Sequence, residues 1–154
     1  MNAAAVTFAA VFAALYAAHV VGDHWYGQTH AQALGKGARS RQGVRHCLGH
    51  VALLAAHKVA ALAAMCVVTG LRPSLIAAVL GLLVDGISHY WADRRYTLAA
   101  LADRTGKGDF YRLGQPRPGH DDAPHLGTGA YAMDQSWHVG WLFVAALIIA
   151  AGAR

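Results

Sequence analysis

An all-α integral membrane four-helix bundle is the fold class this sequence predicts, and three observations predict it. Apolar residues make up 56% of the chain and charged residues 14%, against roughly 25% charged in a soluble domain. Four apolar runs, at about 4–22, 43–69, 73–92 and 132–152, each come close to the ~20 residues that cross ~30 Å of hydrocarbon. The basic residues collect in the two segments that follow the first and third runs. The chain reads as a single transmembrane domain, 1–154, with cytoplasmic connections at 23–42 and 93–131.

The first run, AAAVTFAAVFAALYAAHVVG, has no basic region before it and passes directly into the polar GDHWYGQTH, so it is expected to persist as the first span rather than be cleaved. The second and third runs are separated by GLRPS, a tight turn in which Pro73 is placed to open the third span. Orientation follows from the positive-inside rule. Lys36, Arg39, Arg41 and Arg45 lie in or beside the first connection, and Arg94, Arg95, Arg104, Lys107, Arg112 and Arg117 lie in the second. The opposite face carries Arg72 and Arg154 alone, which puts both termini outside. Topology thus accounts for the net charge of +5, and nucleic acid is not implied.

The 93–131 connection is long for a compact domain. Its first part, DRRYTLAALADRTGKG, has Leu98 and Leu101 among alanines and is expected to form an amphipathic helix along the interface. Its second part, LGQPRPGHDDAPHLGTG, reads as a loop, with His120, Asp121, Asp122 and His125 solvated or forming a lid. Cys47 and Cys66, 19 residues apart on one helix, lie too far apart to pair.

The chemistry lies at the span ends. His19 and Asp23 close the first span, His46 and His50 open the second, Asp85 and His89 close the third, and Asp134 and His138 open the fourth. Each pair is spaced i,i+4, which places both side chains on one helix face. Spacing by itself is weak, because 8 acidic residues and 10 histidines give about two such pairs by chance. Depth is the stronger signal, since alternating helix directions bring all four pairs to one cytoplasmic level. An acidic side chain inside a bilayer costs about 2.5–3.5 kcal/mol on insertion scales. With no Lys or Arg expected at that level, cations must compensate three carboxylates.

Carboxylate and imidazole without thiolate suit zinc, manganese or iron. Eight ligands fit two divalent ions in a bundle whose facing helices supply them. His57, Gln28 and Gln135 are candidates for orienting the ligands, and Arg94 and Arg95 for clamping an anionic substrate. Lys58, beside His57, is expected to snorkel or to pair within the bundle. Trp25, Trp91, Trp137 and Tyr90 fit an aromatic belt at the same boundary.

The segments AHVVGDHWYGQTHAQALGKG, HCLGHVALLAAH, LLVDGISHYWADRR and GAYAMDQSWHVGWLF resemble, in order and across nearly the whole chain, a family of small bacterial and phage membrane proteins, domain of unknown function 3307. The chain is also distantly similar to membrane-bound metal-dependent hydrolases. That likeness implies hydrolysis, and the two-ion centre is expected to act on a phosphoester or amide, in a small or lipid-like substrate presented among membrane lipids. The rival readings are a haem b protein, a divalent-metal or proton transporter, and a protein whose metal is structural only.

Overall fold

The computed structural model describes residues 2–117, 119–120 and 128–153. The described residues form helices and connecting turns, with no strand among them. In order these are α1 (Ala3–Val21), a π-helical turn (Gly22–Tyr26), α2 (His30–Gly35), α3 (Arg41–Thr69), α4 (Leu75–Asp93), α5 (Tyr96–Arg104), α6 (Gly108–Tyr111) and α7 (Gly129–Ala151). Four of them, α1 with its π turn, α3, α4 and α7, are long and apolar enough to cross a membrane.

Local chemistry fixes the ends. Side-chain oxygens of Asn2, Ser40, Ser74 and Thr128 accept from backbone N–H groups in the first turns of α1, α3, α4 and α7, satisfying donors that a helix start leaves free. Thr29 and Gln32 form a reciprocal capping box on α2. Gly70, at φ 72°, closes α3 in the left-handed conformation that costs a glycine little. The turn differs from its expected form in one respect. Pro73 precedes the cap residue Ser74, because the serine hydroxyl stops the first turn of α4 more directly than the fixed proline φ starts it.

The four long helices form a ring in which α1 and α4 each pack against α3 and α7. Val11, Leu15, Leu62, Leu142, Ala145, Ala146 and Ile149 fill its apolar half. The α4–α7 contact is tight at Gly81, where an added Cβ would stand 2.9 Å from the Ala145 carbonyl oxygen. The outer surface is apolar too: Val67, Val68, Leu75, Ile76 and Ile87 are each at least 70% exposed.

The segment 23–42 is more ordered than a polar loop. Its π turn continues α1 and α2 folds back against α3. The amphipathic segment is helical as α5, with Leu98 and Ala102 buried. His120 is exposed, while Asp121, Asp122 and His125 lie outside the described residues. Both cysteines are free thiols.

Candidate metal centre

The polar end of the ring is built from the ends of α1 and α4 and the starts of α3 and α7. The wider π turn carries Asp23 inward, and its closing bond runs from the Gly27 N–H to the Gly22 carbonyl. Gly27 is required there, because a Cβ would collide with that same carbonyl oxygen at 2.3 Å. The Gly27 carbonyl in turn faces Nδ1 of His50 at 2.8 Å. A carbonyl only accepts, so Nδ1 of His50 carries a proton and Nε2 is the nitrogen left facing the bundle axis.

Around that nitrogen the side chains crowd. His50 Nε2 lies 3.1 Å from Asp23 Oδ1, 3.1 Å from Asp93 Oδ2 and 3.1 Å from His89 Nε2. His89 Nε2 is 3.2 Å from the same Asp93 oxygen. Protons on the two Nε2 atoms would bridge these contacts in part, and a cation among them would meet the four ligand atoms at once. Bonds of about 2.0–2.1 Å to zinc place tetrahedral ligand atoms about 3.3 Å apart, close to the separations found.

Asp23, His50 and His89 form one grouping with every ligand atom within 4.8 Å of the others, and His89, Asp93 and His138 form a second. The buried His and Asp groups could therefore hold a metal ion. Buried atoms that make no hydrogen bond concentrate here: both ring nitrogens of His19, Nδ1 of His89, Nε2 of His138, Oδ1 of Asp23 and Oδ2 of Asp93. Buried polar atoms in folded proteins are almost always partnered, so a cluster of exceptions points to an additional group.

Of the eight expected ligands, Asp23, His50 and His89 converge with His138 beside them. His19 is fully buried with its ring centroid 5.1 Å from that of His138. Asp134 is partly exposed, and its Oδ2 stands 3.4 Å from His138 Nε2. Two of the eight are elsewhere. His46, one turn closer to the end of α3, is half-buried against Gly35 of α2. Asp85 lies one turn below His89 and binds Lys58 at 2.5 Å, with both side chains buried.

The expectation that no Lys or Arg reaches this depth is corrected by that pair and by a second one. Lys36, at the end of α2, holds Asp93 Oδ1 at 2.9 Å. Asp93 itself was not among the expected ligands, although it stands i,i+4 from His89 on the same face as Asp85. Its signal was present in the spacing. The apolar run ends at Ala92, one residue before α4 does, which assigns Asp93 to the connection.

The supporting residues divide likewise. Gln135 donates to Asp23 Oδ2 at 3.2 Å and to Asp134 Oδ2 at 3.3 Å, tying α1 to α7. Gln28 donates to the Asp23 backbone carbonyl at 2.7 Å. His57 faces away, with Nδ1 on the Leu53 carbonyl and its ring stacked on Tyr26. Arg94 is buried, donates to the Ala38 carbonyl at 2.6 Å and lies over Tyr90 and Tyr96, so it braces the α2–α3 connection.

A cavity of about 450 Å³ opens beside the centre, with Asp23 and Asp93 in its wall together with Lys36, Arg95, Tyr111 and Gln135. Burial, reinforced by Asp134 and opposed by Arg95, pushes the Tyr111 phenol above its ordinary pKa, so it remains a donor at neutral pH. Trp91 and Trp137 stack with centroids 4.8 Å apart, and the Trp137 indole donates to Ser88 at 2.8 Å; Trp25 is exposed. Comparison with models of known families, with curated proteins and with solved structures gives no match to this chain.

Proposed function

We propose that this chain is an integral protein of the bacterial inner membrane, with both termini outside, that carries a metal-dependent hydrolytic centre at its cytoplasmic side. Membrane insertion is supported by the apolar exterior of the four long helices, which surrounds an interior that is polar at one end. The observation that carries the metal reading is the inward Nε2 of His50, oriented by the Gly27 carbonyl and met by two carboxylates and a second imidazole.

The arrangement favours one ion, held by Asp23, His50, His89 and Asp93, over the two expected from ligand number. The two groupings share His89, whose single Nε2 lone pair serves one ion. The Lys36 ammonium already supplies the second cation at Asp93. Zinc, manganese and iron all suit this oxygen and nitrogen donor set. Such an ion, when bound, supplies Lewis acidity and lowers the pKa of a coordinated water. His138, whose Nε2 stands 3.4 Å from Asp134 Oδ2 and 3.8 Å from Asp93 Oδ1, would be the base beside such an ion. Gln135 keeps Asp23 and Asp134 in register. Domain of unknown function 3307 remains the family proposed for the chain on its motifs.

The rival readings fit less well. Bis-histidine haem requires a macrocycle between its two axial nitrogens, and those of His50 and His89 are 3.1 Å apart. Transport requires a polar path onward, and below the Lys58–Asp85 pair the interior is the apolar cluster around Leu15, Leu62 and Leu142.

Elemental analysis of detergent-purified protein tests the centre. One transition-metal ion per chain is expected, absent from His50→Ala and Asp93→Ala; no stoichiometric metal in the parent, or equal content in the variants, removes the reading. Hydrolysis of a phosphoester panel that stops with chelator, and resumes on adding metal back, separates an enzyme from a structural centre.

A further inference from the structure

We infer that the cavity beside the centre is a binding site for a phosphate-ester oxyanion, with Arg95 as the residue that selects it. The inference rests on the metal-centre reading and names the substrate class for it.

Three observations carry it. The cavity, about 450 Å³, has Asp23 and Asp93 in its wall, so a ligand inside it reaches the metal ligands themselves. Its other charged groups, Lys36 and Arg95, together with a divalent ion outweigh the carboxylates of Asp23, Asp93 and Asp134, which leaves the loaded site attractive to an anion. Arg95 is held there at a conformational cost. It is the one non-glycine residue among those described with positive φ, at φ 58° and ψ −54°.

Neighbouring residues hold that strained backbone in place. The Tyr111 hydroxyl donates to the Arg95 carbonyl at 3.3 Å, and the side-chain stem crosses Gly37, where an added Cβ would stand 2.9 Å from Arg95 Cδ. The guanidinium spends a donor on the Ala33 carbonyl at 2.7 Å and has no carboxylate partner among the described residues. Its remaining N–H groups keep the planar fork that matches a phosphoryl group. Arg112 is the contrast: it is exposed and already occupied by Asp103 at 2.8 Å and Asp109 at 3.3 Å.

The test uses the full chain in detergent, loaded with zinc, with inorganic phosphate as the probe in titration calorimetry. The zinc-loaded parent is expected to bind phosphate, and Arg95→Ala to bind it about ten-fold or more weakly at unchanged zinc content. Unchanged zinc also reports that the variant is folded. Arg95→Lys falls between the two, because it keeps the charge and loses the fork. Arg112→Ala binds phosphate as the parent does.

A parent that holds zinc but no phosphate, or an Arg95→Ala that binds phosphate like the parent, overturns the anion site and leaves the metal centre standing. A parent that holds neither overturns both. Competition then assigns the source, with glycerol phosphate as the soluble ester and phosphatidic acid in phosphatidylcholine nanodiscs as the lipid head group. Displacement by either upholds the site and names its ligand; displacement by neither overturns it.

Discussion

Two buried polar assemblies lie one helical turn apart on α4, and they solve the same problem in opposite ways. Asp85 is closed by Lys58 at 2.5 Å, a pair in which each charge has its counter-charge inside the protein. One turn on, His89 and Asp93 meet His50 and Asp23 in a crowded group in which several buried atoms make no hydrogen bond. The first assembly is complete as folded. The second leaves buried atoms without partners, and that supports the metal proposed there. Burial alone does not distinguish them, since all these residues are at most 5% exposed.

The comparison breaks first at the ligands. His50→Ala or Asp93→Ala should abolish stoichiometric metal, a loss exceeding about 100-fold in affinity that equilibrium dialysis will read. Acidification should release metal from the parent, because protons compete for the imidazole lone pairs. Next in size is the closed pair. Lys58→Met strands the Asp85 carboxylate in the interior and should cost about 3–5 kcal/mol in denaturant titration. Adding Asp85→Leu to that variant should restore most of the loss. Metal content should stay at the parental level in the double variant, which a ligand at position 85 would not allow.

Gln135→Leu removes the amide that joins Asp23 to Asp134 and should weaken metal binding about 10–100-fold without changing stoichiometry. The smallest effect is expected at His46, which packs against Gly35 beyond the site: His46→Ala should leave both metal affinity and stoichiometry within error. A loss of metal there would return that histidine to the ligand set.

The four long helices were legible because twenty-residue apolar runs leave few alternatives, and the level of the site was legible because alternating helices bring their ends together. Pairing within the site was harder to read. An i,i+4 spacing states that Asp85, His89 and Asp93 share a face, yet it does not state which neighbour each meets across the bundle. Asp85 meets Lys58 of α3, and Asp93 meets His50 of α3 and Lys36 of α2. The Lys36 contact depends on how α2 folds back, which is tertiary information carried by a short polar stretch with no periodicity. His46 shows the converse failure, since sharing a face with His50 did not bring it to the same depth.

The wider turn after α1 has a consequence for how this end of the molecule tolerates change. Trp25 and Tyr26 lie on its outside and are largely exposed, so replacing them alters what the protein presents to its surroundings and little else. The length of the turn is a different matter. One supernumerary backbone unit sets the angle at which Asp23 enters and the height at which the Gly27 oxygen meets His50, so deleting a single residue between Gly22 and Gly27 would rotate the acid away and release the imidazole's tautomer together.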